Sequence, residues 1–303
     1  MDEQKTPVTI DQVAETIVDT SAKQKKRSSN YIKDSSSRVM NIAQIHGLDA
    51  LLSEVKPENT ALERALNREQ KIKEQRQQNL EQILKLAFSA CKDETAGDPD
   101  QDWLVRFFSM AQDIHNPAMQ RLWAQVFKRE VTNPGSTSMK ALKVLRDMTP
   151  KEAQILQRAA SLACSFGQDH SRKLFVGLKA HGSIFSFGKR DNTINLSLGN
   201  FQLPYSSLLV LIELGLLHAA ELESGEIEQD PALIFTYQGK NLLLAPLSKG
   251  VHLLYFRFTP TGNELCKLLG NKSNMPYYDQ LVAVLSQKFS VQTEVTGSVD
   301  HTV

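Results

Sequence analysis

Glu130 and the turn Pro134-Gly135-Ser136-Thr137-Ser138 place a carboxylate, two serine hydroxyls and a tight bend within nine residues. Such a set could serve a hydrolase, with Glu130 as general base and Ser136 or Ser138 as nucleophile. No histidine stands nearby in sequence to complete a familiar relay. The same residue types also build ordinary structure: Pro134 and Gly135 make the turn, a serine caps the next helix, and Glu130 anchors loop N–H groups. That reading accounts for every residue type used, so no catalytic residue is assigned, and a hydrolase based on Glu130 and Ser138 stays as the lesser alternative.

Other chemistry-bearing residues are scattered. Trp103 and Trp123, with Phe107, Phe108 and Phe127, could form an aromatic platform, but their helical spacing points to core packing. His46 and His115 have no ligand partner at the spacing a metal-binding helix needs, so no metal site is assigned. Neither GxxxxGK[ST] nor GxGxxG occurs, and no cofactor is expected. Lys189 and Arg190 in SFGKRDN, and Lys240 in YQGKN, sit at apparent hairpin turns where they could touch phosphates. The apolar stretch over 205–217 carries no Lys, Arg, Asn or Gln to read base edges.

The bulk numbers narrow the class. The chain has 303 residues, 41% hydrophobic and 23% charged, near the averages of globular proteins. Lys plus Arg number 35 and Asp plus Glu 34, for a net charge of +1, without the basic excess of dedicated nucleic-acid binders. Three dispersed cysteines, Cys91, Cys164 and Cys266, suit a reducing compartment. The first residues lack a secretory pattern, and the most apolar run, residues 208–217, is too short to span a bilayer. The expectation is a cytoplasmic protein without membrane insertion.

The elements that must position these residues follow from periodicity and punctuation. Residues 1–38 read as a short amphipathic helix, with Ile10, Val13, Ala14, Ile17 and Val18 on one face, then a basic and serine-rich flexible linker. A helical domain is expected over 39–167. It includes one long helix over 58–92, free of Gly and Pro and roughly 50 Å long at 1.5 Å per residue. Its middle, residues 67–79, offers only Ile72 as an apolar side chain and should bridge solvent or meet a partner. Asp100 or Asp102, Asn116 before Pro117, Ser136 or Ser138, and Thr149 before Pro150 are the expected caps of a compact four-helix unit. Residues 168–292 read as an α+β domain with two β-hairpins, followed by a polar tail over 293–303.

Two resemblances add to this reading. The stretch over 102–155 carries Asp102-Trp103, Trp123-Ala124, Glu130, Pro134-Gly135, Ser136 with Ser138, Leu142 with Leu145, and Glu152-Ala153. It resembles a bacterial family defined only as a domain of unknown function. QNLEQILKLA upstream, and LIELGLL with FTPTGNEL downstream, extend the likeness over about residues 64–269. The family implies kinship and no activity. The C-terminal part also looks like a winged helix, from the order of an LIELGLL helix, a hairpin and an FTPTGNEL return.

The resulting expectation is a mainly α protein with a smaller winged-helix-like α+β part. Its function is expected to be a non-enzymatic protein-interaction or scaffold module that meets a protein partner or itself. Nucleic-acid binding, in regulation or phage defence, is the alternative.

Overall fold

Asp34 starts the first helix of the computed structural model, which describes residues 34–53, 58–92, 94–180, 192–269 and 272–293. Its carboxylate accepts the Ser36 backbone N–H at 3.0 Å and the Ser36 and Ser37 hydroxyls at 2.6 Å, opening helix α1 (Ser35–Ile45). Gly47, at φ 64°, ends the segment in the left-handed region that favours glycine. Helix α2 (Ala61–Ala90) begins with a reciprocal cap in which Glu63 accepts the Thr60 N–H and Thr60 Oγ1 accepts the Glu63 N–H. Its 30 residues correspond to about 45 Å.

The chain divides into two units, residues 1–73 and 74–303. In the first, α1 buries only Ala43. In the second, the rest of α2 contributes Asn79, Ile83 and Ala87 to the interior. Helices α3 (Gln101–Ala111), α4 (Pro117–Thr132), α5 (Met139–Asp147) and α6 (Pro150–Leu162) are capped by Asp100, Asn116, Ser138 and Thr149. Phe107 centres their core, with its ring 5.0 Å from Trp103 and 5.3 Å from both Trp123 and Phe127. The aromatic set is therefore packed interior and not an open platform.

Beyond α6 the structure departs from the winged-helix expectation. Strands β1 (Cys164–Phe166), β2 (Asp169–Ala180), β3 (Asn192–Asn195), β4 (Leu217–Glu223), β5 (Leu233–Tyr237), β6 (Lys240–Pro246), β7 (Val251–Phe258) and β8 (Phe289–Thr293) form a single eight-stranded sheet. Every pairing is antiparallel, in the order β4-β7-β2-β1-β5-β6-β8, and β3 also pairs with β2. Helices α7 (Tyr205–Glu213), α8 (Pro260–Leu268) and α9 (Met275–Leu285) complete the unit.

The "mainly α with a winged-helix-like part" expectation is thus corrected, and the physical reason lies in three places. Strand β2 pairs with β1, β3 and β7, yet its polar first half and Gly177 conceal a strand from a period-two reading. Glycine is required there because a Cβ on Gly177 would stand 2.4 Å from the Ile194 carbonyl oxygen of β3. The β5–β6 hairpin is present, but β1 and β8 cover its two outer edges, so it is sheet interior and not a free wing. Its tip is occupied as well. Gln238 and Gly239 both have positive φ, and Gln238 Nε2 donates to the carbonyls of Ala160, Ser161 and Ala163 at the end of α6. It thereby satisfies carbonyls that a helix end leaves without partners. The other expected hairpin turn, with Lys189 and Arg190, lies outside the described residues, and its described end, β3, pairs with β2.

The helical and sheet parts share one apolar core running from Ile83 through Trp123 and Leu156 to Phe175, Phe235 and Phe289. Burial of such side chains at about 25 cal/mol per Å² is the main force holding the two together.

Candidate functional site

The turn after α4 is built around a buried carboxylate. Glu130 is 1% exposed and accepts the Gly135 N–H at 2.6 Å and the Thr137 N–H at 3.0 Å. The Ser136 hydroxyl lies 3.4 Å from both Glu130 Oε2 and the Arg129 carbonyl. Gly135, at φ 80°, makes the bend, and Gly97 lies against Pro134 so closely that a Cβ would stand 2.9 Å from Pro134 Cγ. The Trp103 indole N–H donates to the Thr137 carbonyl at 2.9 Å. Ser138 Oγ accepts the Ala141 N–H at 3.2 Å, the ordinary role of a helix cap. Asp102 is exposed in the first turn of α3, where a negative charge is favourable, while the capping side chain is that of Asp100.

The structure thus gathers Trp103, Glu130, Pro134, Gly135, Ser136 and Ser138 around one turn and directs most of their bonded polar atoms to backbone groups, the Ser136 hydroxyl also meeting Glu130 Oε2. Trp123 is fully buried in the aromatic core, its ring against Phe107. One further residue of this cluster carried no signal in sequence. Glu264 of α8 accepts the Ser138 N–H at 3.0 Å. FTPTGNEL was noted as a family stretch, but nothing in it announces a partner in the PGSTS turn.

That return is itself tightly fixed. Thr259 Oγ1 donates to the Gly215 carbonyl at 2.7 Å and accepts the Gly262 N–H at 3.1 Å. Gly262 rests on Leu216, where a Cβ would stand 2.0 Å from the carbonyl oxygen.

Lys240 follows the occupied hairpin tip. Its Nζ lies 4.3 Å above the Tyr278 ring and 3.6 Å from Met275 Sδ, so its ammonium already has an aromatic partner. Lys173 is a second engaged cation, 2% exposed, bonded to the Asp169 and Ser171 carbonyls at 2.8 and 3.1 Å and to Asp169 Oδ2 at 3.3 Å. Burial lowers its pKa, opposed by the Asp169 charge. The bonds from Ser171, with Lys173 assisting, hold Asp169 at about 2. Cys164 and Cys266 are buried thiols pushed up to about 12 by desolvation, which keeps them protonated and poorly nucleophilic. No group of three or more His, Cys, Asp or Glu among the described residues could hold a metal ion.

Among the described residues, a further exposed feature is apolar. In the first unit, Val39, Ile42, Ile45, Leu48, Leu51, Leu52, Leu62 and Leu66 are all exposed, and Leu51 reaches 97%. A hollow of about 210 Å³ lies between Gly47, Leu48, Ala50 and Leu51 on one side and Ala61, Arg64, Ala65 and Arg68 on the other.

Together these features define a class of protein: helices joined to one antiparallel sheet, with a motif turn held by a buried carboxylate and an exposed apolar helical segment. Within that class, the chain belongs to the family described as Protein of unknown function (DUF2806), whose model matches residues 63–282. No curated protein matches, and no solved structure matches. The matched span takes in the motif turn, α8 and most of the sheet, whereas α1 precedes it. No helix among the described residues is long and apolar enough to cross a membrane.

Proposed function

We propose that this protein is a non-enzymatic interaction module whose contact surface is the unit of residues 34–73, which meets a protein partner or a second copy of the chain. The observation that carries this reading is the row of exposed leucines, isoleucines and valine from Val39 to Leu66, against a single buried residue in α1. Large apolar side chains exposed in such number within a short stretch are uncommon on a protein that acts alone, and apolar surface of this kind marks interaction sites. Residues 67–73 of α2 are also exposed and, with Ile72 as their one large apolar side chain, offer a polar rim beside it. The contact envisaged over residues 67–79 is therefore moved toward the N-terminus, since Asn79 is buried and its Nδ2 donates to the Gln112 carbonyl at 2.8 Å.

The alternatives have less support. A hydrolase would need Glu130 free to accept a proton, whereas its oxygens already accept two backbone N–H groups. Nucleic-acid binding through hairpin turns would rest on Lys189, Arg190 and Lys240, of which the first two lie outside the described residues and Lys240 packs on Tyr278.

Affinity capture of the full-length chain from its host, with and without nuclease, tests the proposal when run beside Leu48→Asp and Leu51→Asp. The reading requires a protein, or the chain itself, captured in stoichiometric amount by the parent and lost in both variants despite unchanged folding. Capture that survives both substitutions, or that vanishes with nuclease alone, would count against it.

A further inference from the structure

Helices α4 and α6 flank a second surface that is chemically unlike the apolar face. Two adjoining hollows, about 480 and 230 Å³, share Gln154, Gln157 and Leu269 in their walls. The larger falls within the range of small-molecule sites, roughly 300–1,000 Å³, and the smaller lies below it. The larger is bordered by Arg158 and Lys272 with Ser161, and the smaller by Arg121 and Gln125 over a floor that includes Met119 and Leu122.

The charge pattern is one-sided. The chain as a whole carries nearly equal numbers of acidic and basic side chains, yet the described lining of both hollows includes three cations and no carboxylate. Arg158 makes one bond, from Nη1 to the Gln202 carbonyl at 3.3 Å, and its other guanidinium donors point to no described partner. Arg121 and Lys272 have no described ion-pair partner. Lys85, Lys143 and Lys288 elsewhere in the same unit also have no described ion-pair partner, so what sets these three cations apart is that they border two adjoining hollows with no carboxylate in the described lining. Cations left unpaired around a concave surface favour an anionic ligand, and guanidinium groups match phosphate oxygens in geometry.

A bare phosphate would use only the cationic end. The other lobe adds three glutamine amides, each able to donate and accept together, above an apolar floor. That combination suits the edge and face of a nucleobase. We propose that the α4–α6 groove binds a phosphate-bearing nucleotide unit, with the base over Met119 and Leu122 beside Gln154 and Gln157 and the phosphates at Arg158 and Lys272. The unit could be a free nucleotide or one residue of a single strand. Both present the same chemistry.

The test uses the full chain at low salt with ATP, a short single-stranded oligonucleotide of mixed sequence and inorganic triphosphate as separate probes. Binding is followed by calorimetry and fluorescence anisotropy. The expected result is saturable binding of ATP or of the strand, weakened about tenfold or more by Arg158→Glu. Lys272→Glu is the second variant, and unchanged thermal midpoints show that both fold. Gln157→Ala should weaken the base-containing probe and leave triphosphate unaffected. ATP binding without strand binding assigns a free nucleotide, and preference for the strand assigns nucleic acid. Absence of saturable binding by either, triphosphate binding as tightly as ATP, or affinity indifferent to both charge reversals would overturn the proposal.

Discussion

The Glu264 carboxylate accepts the Ser138 backbone N–H at 3.0 Å across a separation of 126 residues. The start of α5 is thereby closed twice, by Ser138 Oγ from within and by a carboxylate brought from α8. A negative charge at a helix N-terminus is favourable on its own account, and the bond adds direction to it. Because α8 is fixed to Gly215 and Leu216 through Thr259, this contact joins the motif turn to the sheet-bearing part of the same unit. Glu264→Ala should lower the free energy of unfolding by about 1–2 kcal/mol in urea titrations, with the spectrum of the folded state unchanged. A variant as stable as the parent would show the contact to be energetically empty.

Glu130 should be the most costly polar position of the turn. Glu130→Gln replaces one accepting oxygen by an amide that faces donors, so a loss of about 2–4 kcal/mol is expected. Thr137→Val provides the internal contrast, because Thr137 Oγ1 is buried without a hydrogen-bond partner. Replacing that hydroxyl by a methyl group should be neutral or slightly stabilising. Equal losses in the two variants would refute the assignment of Glu130 as the turn's organiser.

Two glycines are expected to tolerate no side chain. Gly177→Ala and Gly262→Ala would place a Cβ at 2.4 and 2.0 Å from carbonyl oxygens of Ile194 and Leu216. Each should cost more than about 2 kcal/mol, because backbone on both sides must move. Gly225→Ala meets nothing within 4 Å and has no positive φ, so its thermal midpoint should stay near that of the parent. Differential scanning calorimetry of the three variants decides the matter.

Acid sensitivity should include a contribution from Asp169. Backbone and side-chain hydrogen bonds from Ser171, with the nearby Lys173 charge, hold its carboxyl at about 2, below the ordinary 3.8. A carboxylate lowered in the folded state stabilises the fold above its unfolded value and loses that stabilisation as pH falls through the folded value. The Asp169 contribution is therefore present above about pH 4 and disappears toward pH 2. Urea midpoints measured across this window should fall less steeply for Asp169→Asn than for the parent. Parallel slopes would remove Asp169 from the account.

Much of the helical architecture was readable because its signals are local. Asn116 before Pro117 and Thr149 before Pro150 announce helix starts without reference to any distant residue, and the uninterrupted run after Thr60 announces α2. Of the sheet, the β5–β6 hairpin was legible and the pairing around it was not, because its signals are distant. Strand β2 earns its central place from three partners, and its buried Lys173 and Gly177 are the residue types that a local pattern excludes from a strand. Strand β8 follows soon after the end of α9 and was not expected as a strand, its last residue being placed in the polar tail, since only its pairing with β6 defines it. Lys240 looked like a wing tip for the same reason: neither Gln238's attachment to α6 nor the Tyr278 ring beneath its ammonium can be inferred from YQGKN alone. The motif turn was readable in its residue types, but the Glu264 contribution required the fold.

The central claim, that residues 34–73 form the contact surface, is tested most directly by photo-crosslinking in the native host. A photoreactive amino acid is placed at Leu51, the most exposed of the apolar side chains, and in parallel at exposed Ile234 on β5 as a control. The account expects one discrete adduct from position 51, with a defined protein or a second copy of the chain, and none of comparable yield from position 234. No adduct at position 51, or the same adducts from both positions, would contradict it.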